Sequence, residues 1–252
     1  MGRTGIGFWI LDFRFGLMTI RNWTILYLAI LSIDLFAVYT GNETVRYGSK
    51  SMLMPLLIGL FAFSTKGLPS SLKKWIVLAL TFSWLGDVFL LFEGSDDLYF
   101  LAGLVAFLVA HVWYLILFKR ITKLHGVQVK FLPIIIGIIY YFGFMYVLKP
   151  STLGSFEWPV RIYGAVLLLM FMAALHMAYI SKPACALLVI AGASLFVISD
   201  SLLAMNKFYK QFEYAGIAVM LTYGTAQLLI TLGATKYINS SSHKFADSEY
   251  RS

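Results

Sequence analysis

Two aspartates, Asp87 and Asp200, stand inside strongly apolar stretches in near-matching surroundings, Ser83-Trp84-Leu85-Gly86-Asp87-Val88-Phe89-Leu90 and Phe196-Val197-Ile198-Ser199-Asp200-Ser201-Leu202-Leu203. An ionisable side chain at mid-membrane costs about 2.5–3.5 kcal/mol on translocon scales, so two retained carboxylates point to use. Burial disfavours a charged carboxyl group, and two neighbouring carboxylates resist ionising together, so one of a pair can carry a proton while the other stays charged. That division supplies an acid and a base in a dry site, the combination with which glycosidases hydrolyse through an oxocarbenium ion. The competing reading makes such residues structural partners of Lys, Ser, Tyr or backbone, and it weighs as much as the functional one for a third embedded carboxylate, Asp34.

The chain that must position these groups belongs in a bilayer. Of 252 residues 60% are hydrophobic and 13% charged, about half the charged share of a soluble domain, and mean hydropathy is +0.81. A spanning helix needs about 20 apolar residues, and eight such windows occur, near 22–40, 47–65, 74–92, 98–118, 131–148, 160–180, 184–205 and 213–236. No segment alternates with the period of a barrel strand, and lipid requires backbone polar groups to be satisfied within a segment, so the expected class is all-α, a polytopic helical bundle. The expected organisation is an interfacial segment over 1–21, a membrane domain over 22–236 and a disordered polar tail over 237–252. With the N-terminus inside, 14 Lys and Arg fall on the inner side and 6 on the outer, which predicts a multi-pass protein of the cell membrane with both termini cytoplasmic. The net charge of +8 then reads as topology and attraction to anionic lipid rather than nucleic-acid binding.

A shift of 113 residues superposes Asp87 on Asp200, Leu90 on Leu203, Ala102-Gly103 on Ala215-Gly216 and Leu115 on Leu228 without a gap. Four helices separate the copies, so helices three and four should run parallel to seven and eight, as in a parallel internal repeat. Counted from the cytoplasmic helix ends, Asp87 and Asp34 lie about 20 Å up and Asp200 about 25 Å. Lys50, Asn206 and Lys207 are within snorkelling reach of that outer layer. His111, counted about 12 Å from the cytoplasmic side, is not expected to touch the carboxylates, although with Tyr114 it could line a cavity; His176 reads as a satisfied bundle residue. Gly86, Gly103, Gly192 and Gly216 read as close-packing positions.

At these residues the chain resembles the YhhN-like lysoplasmalogenase family of eight-helix membrane proteins. The resemblance rests on Phe82-Ser83-Trp84-Leu85-Gly86-Asp87, then Phe100, Gly103, Phe107, His111 and Tyr114, and later Phe196 to Ala204 with Lys207-Phe208. It covers about residues 22–236 and departs where the family's Lys-Pro-Leu reads Lys50-Ser51-Met52. It implies hydrolysis of the vinyl-ether bond of a lysoplasmalogen, giving a fatty aldehyde and a glycerophospho-amine. In that chemistry one protonated Asp would protonate the vinyl β-carbon and the ionised one would stabilise the oxocarbenium ion. Asp87 is the better acid candidate by its apolar neighbours Trp84, Leu85 and Phe89. Lys50 and Lys207 could hold the lipid phosphate, with Asp34, His111, Tyr114 and Asn206 as further substrate-binding candidates.

Intramembrane carboxylates at repeat-equivalent places also build proton-coupled carriers. Carriers interrupt matched spans, whereas the prolines here, at 55, 69, 133, 150, 159 and 183, are expected at or near helix ends, which favours an enzyme. A non-catalytic lipid-binding protein fits the same residues and differs only in turnover. No cofactor is indicated: nucleotide loops and haem ligand sets are lacking, His111, His125, His176 and His243 are poorly spaced for a metal, and Cys185 stands alone. No oligomeric state is implied; the partners are the bilayer and an ether-type lysolipid.

Overall fold

The computed structural model describes residues 19–249. The interfacial segment expected over 1–21 therefore falls almost wholly outside the described residues, as does the end of the tail. Eight long helices form a membrane bundle: α1 Ile20–Thr40, α2 Glu43–Ser64, α3 Lys73–Leu90, α4 Asp97–Leu124, α5 Phe131–Val147, α6 Glu157–His176, α7 Pro183–Phe208 and α8 Ala215–Glu249. α8 runs through the boundary drawn at 236, with Tyr237 and Ile238 buried, and its backbone stays helical to Glu249. α1, α4, α6 with its flanking turns, α7 and α8 are each long and apolar enough to span, and α5 is a shorter apolar helix. Outward-facing Phe36, Phe131, Phe142 and Leu187 are more than three-fifths exposed, an apolar surface suited to lipid.

Local chemistry sets the helix ends. Asn42 caps α2 by accepting from the Val45 N–H at 3.1 Å, and Asp96 caps α4 through the Leu98 N–H at 2.8 Å. Gly41 closes α1 in the left-handed region at φ 67°. Pro150 and Pro183 begin helical segments, where the missing N–H costs nothing. Pro55 departs from the expectation that every proline sits near a helix end: it lies inside α2. A proline there strips the carbonyl four residues earlier of its partner, and that carbonyl, Ser51, accepts from the Trp84 indole N–H at 3.0 Å. α2 therefore stays helical because α3 supplies the lost donor. The repeat-equivalent position is Leu168, so this interruption has no match in the second half.

The two hairpins α3–α4 and α7–α8 are the most extensively packed helix pairs, with α6 against α4 and α5 chiefly against α6. Close approach needs the glycines. A Cβ on Gly86 would lie 2.6 Å from the Phe107 ring, and one on Gly192 would lie 2.8 Å from the Ala226 carbonyl. The repeat is visible in contacts as well as in sequence. Tyr114 donates to Gln227 Oε1 at 2.6 Å, and these residues are 113 apart. Repeat-equivalent residues that touch each other must lie at the axis relating the halves, so Tyr114 and Gln227 mark the centre of the bundle.

Candidate active site

An apolar cavity lies between α3, α4, α5, α6, α7 and α8, and Asp87 and Asp200 both stand in its wall. The remaining lining is largely aromatic and aliphatic, with Phe100, Phe107, Tyr140, Phe144, Tyr163 and Tyr223 prominent. The sequence brings both carboxylates here because each stands three to eight residues before the C-terminal end of its helix, α3 or α7, on the face that packs inward.

Asp87 is buried beside a cation. Lys50 Nζ lies 4.0 Å from its Oδ1, and both side chains are at most 5% exposed. Tyr223 donates to Asp87 Oδ2 at 2.7 Å. Behind Tyr223, Gln227 bridges to Ser83 Oγ at 2.9 Å and to the Tyr223 hydroxyl at 3.4 Å while accepting from Tyr114. A tyrosine has one hydroxyl proton, and with that proton on Asp87 the Tyr223 oxygen must accept from Gln227, which orients the amide. Each member of this buried network is thus satisfied in one consistent polarity.

Asp200 has different company. Tyr163 donates to its Oδ2 at 2.6 Å, and His111 Nε2 lies 3.3 Å from the same oxygen and 3.0 Å from the Tyr163 hydroxyl. When Asp200 is ionised both neighbours are acceptors for His111, which then carries its proton on Nε2. Its Nδ1 is buried without a hydrogen-bond partner among the described residues. The His111 ring also packs edge-on against Phe196 at 4.7 Å. Tyr140 and Ser201 share a short hydrogen bond across the cavity wall, linking α5 to α7.

His111 corrects the expectation that it would miss the carboxylate layer. The apolar window ended at 118, but α4 continues to Leu124, so His111 lies about 20 Å from that end rather than 12. His176 is satisfied, with Nδ1 2.7 Å from the Met172 carbonyl and Nε2 accepting from the Lys130 N–H. Lys50 is brought to Asp87 and is 4% exposed. Tyr114 stands behind the cavity as a support through Gln227. Asp34 is not in the cavity wall; it accepts from Ser49 Oγ at 2.7 Å within the α1–α2 hairpin. Asn206 and Lys207 line a separate polar pocket at the end of the bundle where α3 and α7 finish.

The partners Tyr163, Tyr223, Tyr140 and Gln227 escaped the reading of the sequence, the three tyrosines lost among the 15 of the chain. A signal existed for two of them. The 113-residue register puts Tyr163 opposite Lys50 and Gln227 opposite Tyr114, so residues that touch one carboxylate or the axis predict their counterparts.

A family model described as the YhhN family matches residues 45–234. The chain belongs to the YhhN family. The matched YhhN region contains Lys50, Asp87, His111, Tyr163, Asp200 and Tyr223, and excludes Asp34. The chain is 33% identical over 165 residues to lysoplasmalogenase TMEM86A of Homo sapiens and 32% over 164 residues to that of Bos taurus, in each case 64% of this chain and 65% of the relative. It is 26% identical over 218 residues to lysoplasmalogenase TMEM86B of Rattus norvegicus, 86% of this chain and 85% of that one. The matched stretch thus spans just under two thirds of the length of the TMEM86A relatives. No solved structure matches this YhhN chain.

Proposed function

We propose that this protein is a membrane-embedded hydrolase that cleaves the vinyl-ether bond of a lysoplasmalogen-type lipid, releasing a fatty aldehyde and a glycerophospho-amine. The observation that carries the reading is that two carboxylates with unlike partners share one apolar cavity. The names of the relatives support the substrate class.

The partner sets favour the reverse of the division of labour suggested by sequence neighbours. Lys50 is a cation 4.0 Å from Asp87, and Tyr223 donates to the carboxylate at 2.7 Å, so both partners match an ionised Asp87. Tyr163 and His111 can each donate or accept, so Asp200 keeps partners whether or not it carries a proton. Asp200 therefore delivers its proton to the vinyl β-carbon, and the electrons of the double bond leave the ether oxygen sharing the positive charge. Asp87 stabilises the oxocarbenium ion across the cavity. Water adds to the cationic carbon, its released proton returns to Asp200, and the hemiacetal collapses to aldehyde and free glycerol hydroxyl. In the orientation that the cation distribution favours, with both termini cytoplasmic, the acyl-like chain enters sideways from the outer half of the bilayer.

The test is aldehyde release from a vinyl-ether lysophospholipid by the purified protein, beside Asp87→Asn and Asp200→Asn variants that retain the wild-type melting profile. A loss of more than about a hundredfold in both variants is expected, within the range general acid–base catalysis supplies. Full activity in either variant, or no turnover in the wild type, would overturn the mechanism. Turnover also separates this reading from a non-catalytic lipid-binding protein.

A further inference from the structure

We propose that the polar pocket at the mouth of the carboxylate cavity is a binding site for a zwitterionic lysolipid headgroup, in which Lys207 takes the phosphate and Glu93 the ammonium. The assignment rests on the hydrolase reading for its reaction, but its own claim is one of binding and is tested as such.

The pocket forms where the α3–α4 turn, the segment 150–156 and the end of α7 meet, and its wall includes Glu93, Ser151, Ser155, Asn206 and Lys207. Leu203 and Phe208 belong to the walls of both this pocket and the apolar cavity. Between the two, Phe100, Phe156 and Phe208 contact one another with ring centroids 5.5 to 5.7 Å apart. Phe100 faces the apolar side and Phe156 the polar side. The trio is an aromatic collar at the boundary between a wet compartment and a dry one. An amphiphile with one chain fits such a pair of compartments, its polar end outside the collar and its chain inside.

Lys207 sits at that collar, its Nζ 4.2 Å from the Phe100 ring centroid. Its acidic neighbour Asp97 is 3.7 Å away but 72% exposed, and an exposed pair of this kind holds weakly. The ammonium is thus available to a phosphate, which lysine binds as a point charge, with the Ser151 and Ser155 hydroxyls on the same wall. Glu93 makes no ion pair within 4 Å among the described residues. Lys207, Asp97 and Glu93 together carry one more negative than positive charge, and Lys50, whose charge reaches Glu93, is already opposed by Asp87 at 4.0 Å. A headgroup of bare phosphate adds further negative charge to that set, whereas a phosphate ester bearing its own amine adds none and gives Glu93 a partner.

Spacing along α7 links this pocket to the chemistry. Lys207 and Asp200 are seven residues apart, nearly two full turns, so they project from one face about 10 Å apart along the axis, with Leu203 between them. An extended run of ester oxygen, three glycerol carbons, ether oxygen and two vinyl carbons spans that interval. A phosphate held at Lys207 therefore sets the reacting carbon beside Asp200.

The experiment uses the full-length protein in nanodiscs and two lipids with no vinyl bond to cleave, a saturated 1-O-alkyl lysophosphocholine and the 1-O-alkyl lysophosphatidate of the same chain length. Binding is read by tryptophan fluorescence. The wild type should prefer the choline lipid by about two- to fivefold, the upper part of the range for one solvent-accessible charge pair. Glu93→Gln should erase most of that preference and Glu93→Lys should reverse it, while Lys207→Met should weaken both lipids. A wild type without preference, or a preference unmoved in folded Glu93→Lys and Glu93→Gln, overturns the proposal. Aldehyde release from the vinyl-ether counterpart is measured in parallel. Selective binding with no aldehyde sinks the reaction and supports the site; aldehyde with no selectivity sinks the site alone.

Discussion

Gly86 precedes Asp87 and faces the Phe107 ring across the α3–α4 interface, so Gly86→Ala tests how tightly the acid–base geometry is held. The added methyl would lie 2.6 Å from Phe107 Cδ2 and Cε2 and 3.0 Å from Cγ, whereas ordinary contact begins near 3.4 Å. The ring must therefore retreat by about 0.8 Å, close to the 1 Å misplacement that can cost about a hundredfold in rate. Phe107 is 7% exposed and stands edge-on to Tyr223 at 5.7 Å. Tyr223 in turn holds Asp87 at 2.7 Å. The displacement thus passes either into the cavity or into the hydroxyl that orients the carboxylate. Overpacking of this kind costs about 1–3 kcal/mol, which leaves the bundle folded, and we expect aldehyde release to fall about ten- to hundredfold. The repeat supplies a rescue. The equivalents of Gly86 and Phe107 in the second half are Ser199 and Met220, a larger residue opposite an unbranched, adaptable one. Phe107→Met in the Gly86→Ala background should recover most of the lost turnover. Initial rates of aldehyde formation, with melting curves as the fold control, decide the matter. Wild-type turnover in folded Gly86→Ala, or no recovery in the double variant, would refute the packing argument.

Three further outcomes follow from the same contacts. Lys50→Met strips a buried carboxylate of its cation and should cost about 3–5 kcal/mol, most of which Lys50→Met/Asp87→Asn should restore; denaturant unfolding in detergent measures the cycle, and equal losses in the single and double variants would remove Lys50 as the partner of Asp87. Trp84→Phe leaves the Ser51 carbonyl without its donor and should destabilise by about 1–3 kcal/mol. Pro55→Ala should suppress that loss by returning a backbone N–H to Ser51, so an uncorrected double variant would sink the account of α2. Tyr163→Phe deletes the 2.6 Å donor to Asp200 and should reduce turnover about ten- to a hundredfold, less than the hundredfold or more that loss of a direct transition-state partner costs, with lipid binding retained; unchanged kcat would exclude Tyr163 from the proton path.

The helix count and the two carboxylates were legible because lipid leaves little freedom. Apolar windows must be helices, and an Asp inside one is conspicuous against Leu and Phe. What touches each Asp was less legible, for three physical reasons. His111 was placed too shallow because α4 extends six residues past its apolar window, carrying Lys119, Arg120 and Lys123 that look like a helix end but belong to its last two turns. Pro55 looked like a boundary because a donor from another helix, Trp84, cannot be seen from α2 alone. Tyrosine is amphipathic, so a buried Tyr223 and an interfacial Tyr214 read alike until packing separates them, one 4% exposed and the other 57%. Gln227 was the missed clue: an amide inside an apolar span needs partners for its donors and acceptor, and it finds Ser83, Tyr223 and Tyr114.

A duplicated helix set poses a chemical problem, because two equivalent carboxylates in equivalent surroundings would titrate and react alike, and acid–base hydrolysis needs them to differ. The 113-residue register locates where the halves part. Lys50 on α2 and Tyr163 on α6 are equivalent positions, and each reaches the carboxylate of its own half, Asp87 at 4.0 Å and Asp200 at 2.6 Å. One half therefore presents a donor-only cation and the other a phenol that can give or take a hydrogen bond. The remaining partners cross over, with Tyr223 of the second half on Asp87 and His111 of the first on Asp200. Crossing ties the two halves into a single site, since neither carboxylate is fully coordinated by its own repeat. Lys against Tyr at that one equivalent position breaks the symmetry, and so do the crossing partners, since the register pairs Tyr223 with Ala110 and His111 with Gly224; on the proposed mechanism these differences let one aspartate hold charge while the other moves a proton.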